Sequence, residues 1–436
     1  MPAHPLLKPA LRRAWRDLRT VQCGVAPAHA LTFGPLDPAT ASFLALLDGT
    51  RGRVLLREEA RRLGLPDGRA DAVVAQLAEA GLLDDTTGGG PSVEVLRRRG
   101  TVVDRLRADH ASLTVTRPGA GAAMRALAAR GAARVQVRGA GRTGAVIASL
   151  LAAAGVGLVD VRDGGRVAPW EVGPGGHGPD AVGERREDSA RRAVRGARPD
   201  RAPRPRARPR PRPRPSGGRG SPDAPDAPGA LGTPHIPGTP DTPDVPDAPD
   251  IPGAFDATDA PCPSPAPEPP LALVLLTPRE GVDVHAPDPG AAAELMAAGV
   301  PHLYAGVVEG TGVVGPLVLP GATACAQCLA LHRLADDPAW PRLSAQWRSG
   351  AAQRVPPCDV TLATAVAGLA AGHALAVLDG TVPASADSRW EAVLPRLAWR
   401  ARALGPHPEC RCGAAARAAH AEHPSGRPAT HETMAR

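Results

Sequence analysis

Six residues constrain this chain more than any others: Gly139-Ala140-Gly141-Arg142-Thr143-Gly144. They fit G-x-G-x-x-G, in the setting that gives the pattern force. Arg134–Arg138 ahead of them reads as a short strand, Thr143–Ala154 behind them as a helix, and Gly157–Val161 as a second strand. In such a unit the first glycine permits a tight turn. The second admits phosphate to the backbone, and the third lets helix and strand pack closely. The helix N-terminus then offers unpaired N–H groups to an anion. Asp163, at the end of the second strand, is placed to accept from ribose hydroxyls. Gly139, Gly141, Gly144 and Asp163 are therefore the candidate nucleotide-binding residues. The local pattern suits ATP, NAD and FAD equally, and glycines kept for packing alone are the plainer alternative.

The rest of the 436-residue chain divides around this unit. Residues 1–86 predict a small domain. Thr20–Val25 and Ala30–Phe33 pair, Asp37-Pro38 opens a helix, and helices over Val54–Leu63 and Arg69–Ala80 precede a returning Leu82-Leu83. This is a winged helix-turn-helix outline. Acids at Glu58, Glu59, Asp67 and Asp71 dilute the arginines that DNA binding would need. Residues 87–130 predict a helical connector, with a strand at Ser112–Thr116. Residues 131–195 are the Rossmann-like half. Residues 196–270 are low-complexity: Arg and Pro alternate up to Gly220, then Pro-Asp units follow without Lys or Arg. Proline at this density favours extended, solvated chain, so a disordered insertion is expected. Strand-like sequence resumes at Leu271–Leu276, and residues 271–413 complete the second half. An irregular Trp-bearing stretch is expected before a buried helix at Val360–Leu378, and 414–436 form a disordered tail. No secretory signal and no membrane span are expected, and the chain reads as cytoplasmic. Neither nucleic acid nor a membrane is an expected partner.

Seven cysteines in such a chain point to metal rather than disulfides. Cys325-Ala326-Gln327-Cys328 and Cys410-Arg411-Cys412 form two pairs that together supply four thiolates to one structural zinc. The second pair is tight, so His407 or Glu409 is an alternative ligand. Cys358, at a helix start, is either a nucleophile or a buried bystander.

Leu151-Ala152-Ala153-Ala154-Gly155-Val156-Gly157 followed by Asp163 resembles the stretch joining glycine loop to ribose-binding acid in the ThiF/MoeB (ubiquitin-activating-like) superfamily. The resemblance resumes at Val307–Cys328, with Gly315-Pro316 and the Cys pair, and runs to Cys412. It implies a Rossmann-like α/β fold, ATP and magnesium, a zinc held by two Cys pairs, adenylation of a small carrier protein, and a homodimer. The residues 1–86 outline resembles the PqqD-like leader-peptide recognition element, with a peptide expected at a sheet edge near Val21–Val25 and on the helix bearing Val73 and Leu77.

Several positions depart from the adenylating pattern. The acid pair after the second strand reads Asp163-Gly164-Gly165, without its second acid. The Asn-to-Arg stretch falls at Trp170–Pro174, which holds Glu171 and no Arg, in a chain without any Asn. The lysine position falls near Arg185-Arg186, the only lysine being Lys8. The expected Asp after Leu271–Leu276 is Thr277-Pro278-Arg279. Arg186 can still neutralise phosphate, but it replaces no magnesium-holding acid. No residue is therefore assigned as catalytic. The whole resembles the ThiF-like partner proteins of azole-forming (TOMM) systems, which hold a precursor peptide for a YcaO-type cyclodehydratase. The expected role is a degenerate, adenylyltransferase-like scaffold for a leader peptide and a modifying enzyme. The alternatives are an active adenylyltransferase using Asp163, Arg186 and Asp283, and a nucleotide or dinucleotide sensor.

Overall fold

Chain order begins with four short strands, β1 (Pro5–Leu7), β2 (Arg13–Trp15), β3 (Val21–Cys23) and β4 (Leu31–Phe33). The computed structural model describes residues 1–85, 87–201, 268–279, 281–350 and 355–422. Most of the insertion expected at 196–270, Cys262 included, lies outside them, as does the end of the 414–436 tail.

Strands β2, β3 and β4 form an antiparallel sheet with β3 in the middle. Helix α1 (Pro38–Leu44) starts where the sequence dictates: Pro38 takes the first turn, and the Asp37 carboxylate accepts the Thr40 N–H at 2.7 Å. Helices α2 (Arg53–Arg62) and α3 (Arg69–Glu79) follow, and β5 (Leu83–Asp85) returns antiparallel to β1. Two expectations fail here. The Val21–Val25 region is no sheet edge, because β3 is paired on both sides; the edges are β2 and β4. Val73 and Leu77 present nothing to a peptide, being 0% and 1% exposed beneath Phe43 and Leu56 in this lobe's core.

Four helices come next: α4 (Pro91–Arg97), α5 (Gly100–Arg105), α6 (Arg107–Thr116) and α7 (Ala122–Ala132). Ser112–Thr116, expected as a strand, is instead the end of α6. Leu113 packs into a purely helical cluster with Val93, Val102, Leu106 and Leu127. The Thr114 and Thr116 hydroxyls bond back to the Ala111 and Ser112 carbonyls, which accommodates them in a helix.

The large sheet starts with β6 (Arg134–Arg138), crosses through α8 (Arg142–Ala153), and pairs β6 in parallel with β7 (Leu158–Arg162). After α9 (Arg186–Ala197) the chain resumes at β8 (Leu271–Leu276), parallel to β6 on its other side. Short helices α10 (Gly281–His285) and α11 (Ala293–Ala297) lead to β9 (His302–Val308), parallel to β8. Strand β10 (Thr311–Val318) turns back antiparallel. Then come α12 (Ala326–Asp336), α13 (Trp340–Ser349), α14 (Val360–Leu378), β11 (Ser388–Val393), β12 (Ala398–Ala403) and α15 (Ala414–Glu422). The sheet order is β12-β11-β10-β9-β8-β6-β7. The direction of strand progression reverses between β6 and β8, and α/β sheets bind ligands at such a reversal.

Helix α13 corrects the irregular Trp-bearing stretch. Trp340 and Trp347, two turns apart, meet edge to face at 5.6 Å, and the Arg333 guanidinium lies 4.3 Å over Trp340. Those contacts reward a helix that the sequence alone did not announce. Helix α15 opens the segment expected to be a disordered tail. Among the described residues α14 is the one helix long and apolar enough to span a membrane. Its Leu362, Val366, Ala370 and Ala374 repeat at helical spacing and are fully buried against the sheet and α8.

Arg130 on α7 ties this core to the connector. Its Nε and Nη2 donate to the Asp379 carboxylate at 2.8 and 2.7 Å, and the two side chains are 6% and 5% exposed. Asp379→Ala leaves a buried guanidinium short of its counter-ion, an expected loss of ~3 kcal/mol read as a fall in the urea midpoint. A pH dependence is also built in. Arg389 donates to Nδ1 of His285 at 3.1 Å, which requires a neutral ring there. Burial first, then the Arg333 and Arg389 charges, lower the His285 pKa to about 3. An unfolded histidine titrates near ~6.5, so between there and about 3 the unfolded chain binds the extra proton. This contribution is complete above that window and is lost as pH falls through it. Denaturation at pH 7 and pH 5 should show lower stability at pH 5, with a smaller difference in His285→Gln.

Candidate functional site

A cleft opens at the carboxyl ends of β6 and β8. One wall is the glycine loop and first turn of α8, through Gly141, Arg142, Thr143 and Gly144; facing it are Trp170-Glu171, Thr277-Pro278-Arg279 and Cys358. Helix α8 has Gly141 at its N-cap and no side-chain cap, so its first turn carries positive potential with no carboxylate or hydroxyl spent on it.

The loop is held by contacts that only glycine permits. A Cβ on Gly144 would lie 2.0 Å from the Gly139 carbonyl oxygen and 2.5 Å from Thr277 Oγ1. Thr277 Oγ1 donates to that carbonyl at 2.6 Å. Sequence reasoning missed a second clamp, at His177. Its Nε2 lies 2.6 Å from the Ala140 carbonyl and its Nδ1 2.8 Å from the Ser189 hydroxyl, joining the loop to α9. Nothing in the spacing of His177 signals this.

The charged candidates have found one another. Asp163 Oδ2 accepts the Ala140 N–H at 2.8 Å, while Oδ1 accepts the Gly165 N–H at 2.8 Å and Arg186 Nε at 3.0 Å. Burial opposes ionisation of Asp163. The two N–H groups and the guanidinium outweigh it and hold the carboxyl below its usual range. Arg186 Nη1 donates onward to the Arg166 carbonyl at 2.7 Å and lies 3.4 Å from Glu171 Oε2. A Cβ on Gly165 would lie 1.9 Å from Arg186 Nη2, so the guanidinium fills the room that a second acid's side chain would need. Arg142 is turned to backbone, with Nη1 donating to the Cys358 carbonyl at 2.7 Å. Gly141 and Gly144 thus line the cleft, whereas Asp163 and Arg186 sit behind it as an ion pair 7% and 8% exposed. Asp283 lies elsewhere, 3.7 Å from Arg348. Lys8 is in the N-terminal lobe, donating to the Arg117 carbonyl. Cys358 lines the cleft, and burial pushes its thiol pKa up rather than toward a thiolate.

A separate cluster forms where α12 meets the C-terminal segment. Cys325, Cys328, Cys410 and Cys412 bring four sulfurs within 4.8 Å of one another. Neighbouring Sγ atoms are 3.8, 3.7 and 3.6 Å apart. A tetrahedron with ~2.3 Å metal–sulfur bonds has edges of about 3.8 Å, so these three edges match a zinc-binding donor set. His407 is outside this donor set, its ring meeting His332 edge to face at 4.8 Å. With protons still on the thiols, donation toward Cys328 and burial raise Cys325, while Cys328, the acceptor, is lowered.

The ThiF family model matches residues 122–209, from α7 through the glycine loop and α9. That stretch resembles the ThiF family. The chain's fold is similar to that of E. coli MccB solved with MccA-N7isoASN, at a TM-score of 0.57 and 12% identity, over 94% of this chain and 99% of MccB. E. coli MccB with ATP aligns with the ThiF-like chain at 0.57 and 13%, over the same 94% and 99%. Selenomethionine PaaA aligns at 0.53 and 14%, over 91% of this chain and 99% of PaaA. At such identities the likeness establishes a shared fold. No curated protein matches the sequence.

The close packing around the loop is testable. Gly144→Ala forces a Cβ into backbone and is expected to cost about 2 kcal/mol or more in chemical denaturation. Gly164→Ala, where a Cβ meets nothing within 4 Å, is the neutral control.

Proposed function

We propose that this chain is a precursor-peptide-binding scaffold on a ThiF-like fold, that its nucleotide cleft no longer activates carboxylates, and that it serves a YcaO-type cyclodehydratase. One observation carries the reading: the residues an adenylating site would spend on ribose and phosphate, Asp163 and Arg186, are spent on each other. Adenylation needs cations on the phosphates and an acid on magnesium. Gly165 supplies no acid, and Arg186 is tied to Asp163 and Glu171.

Support for a peptide partner comes from MccB, which has been solved with N-formylated MccA. In this chain the small N-terminal sheet, read as part of a winged-helix leader-binding domain, leaves β2 and β4 open for an added strand. Trp15 and Leu31 lie opposite Val21 and Cys23, on the apolar side of the sheet, yet are 53% and 40% exposed. They would meet the apolar side chains of an incoming strand. The four-cysteine cluster is read as a structural zinc site. It would clip α12 to the C-terminal segment and leave no open coordination position for chemistry.

Two measurements check this reading. Pyrophosphate–ATP exchange with a Cys/Ser/Thr-rich candidate precursor peptide should stay at background, and robust exchange would replace the scaffold by an adenylyltransferase. Elemental analysis should give one zinc per chain. Cys328→Ser should lose that zinc and lower the melting temperature by several degrees or more, about the effect of removing a structural metal.

A further inference from the structure

Among the described residues that line the cleft, Glu171 is the one acid. Its side chain is 3% exposed, and it lies in a short turn between β7 and α9. Oε2 is used: it accepts the Ala168 N–H at 2.8 Å and lies 3.4 Å from Arg186 Nη1. Oε1 is buried with no hydrogen-bond partner among the described residues. It lies at the cleft wall, 3.7 Å from where a Cβ on Gly141 would stand. Gly141 is the N-cap of α8, so the free oxygen sits beside the end of a helix that attracts anions.

We propose that Glu171 determines what this cleft accepts: its buried carboxylate supplies the anion at the α8 N-terminus from within the chain, and so bars polyphosphates. The inference deepens the scaffold reading and rests on it. Arg186 cannot offset the repulsion, because Asp163 and Glu171 share it, two negative charges against one positive. Arg142 directs Nη1 and Nη2 to the Cys358 and Val172 carbonyls. Arg279, exposed at the rim, is the remaining cation lining the cleft. A phosphate reaching the first turn of α8 therefore meets a desolvated carboxylate, where like-charge repulsion is least screened. A ligand suited to this cleft instead presents a hydrogen-bond donor to Oε1.

The test is isothermal titration calorimetry of ATP, with magnesium and with EDTA, into the full chain and its Glu171→Gln variant. Glutamine keeps an oxygen for the Ala168 N–H and removes the charge. The wild-type chain should show no saturable binding at millimolar ATP, and Glu171→Gln should bind at least about tenfold more tightly in either buffer. Glu171→Ala, which removes charge and acceptor together, should gain binding as well, and stands in if the glutamine variant melts early. Equal binding by wild type and variants, or none by any of them, overturns the proposal. Magnesium-dependent binding that is strong in wild type and lost in Glu171→Gln also overturns it, by making Glu171 an ion ligand. Pyrophosphate exchange separates this from the underlying reading. Variants that fail to bind ATP while exchange stays absent sink only the role of Glu171, whereas exchange by the wild type sinks the scaffold itself.

Discussion

The close seating of α8 on the sheet governs the rest of this structure. Gly144 lets the helix descend until the Gly139 carbonyl and Thr277 Oγ1 occupy the space of a side chain. Its buried Ala145, Ile147, Ala148 and Leu151 then meet the sheet and the alanine-lined face of α14. Thr277 follows β8 and His177 precedes α9, so two separate stretches converge on a six-residue turn. The position of the cleft, and the direction of the helix end that faces it, follow from that seating.

Around the turn, two acids share one arginine. Asp163, Arg186 and Glu171 form a buried set in which each acid is satisfied by backbone N–H groups as well as by the guanidinium. Such sets are costly to desolvate and are secure only when their lone pairs are met. Here every oxygen is met except Glu171 Oε1. That exception lies at the wall of the cleft.

What the sequence made legible was local. The strand–glycine loop–helix–strand order, the Asp37 cap and the pairing of Val21–Cys23 with Leu31–Phe33 are decided by neighbours in the chain, and all appear where expected. The cysteine pairs were legible because two-residue and one-residue spacings leave few alternatives, though only the fold brings 325 next to 410. Illegible features depended on distant partners. Ser112–Thr116 alternates like a strand but answers to a helical cluster. Trp340–Ser349 gains its helix from aromatic packing. Val73 and Leu77 looked like a binding face because amphipathicity does not say what covers the apolar side. In the cleft, the loss of an acid at Gly165 was readable, but not that Arg186 would move into the gap, nor that His177 would hold the loop.

That last displacement makes the loss hard to reverse. Reintroducing a carboxylate at position 165 would not simply restore a missing ligand, since its first carbon would stand 1.9 Å from Arg186 Nη2. The arginine would have to leave first, and its departure would strand Asp163 and Glu171 as two buried, mutually repelling acids. Each single substitution toward a second acid is therefore worse than none, so the packing around this turn resists being changed one residue at a time.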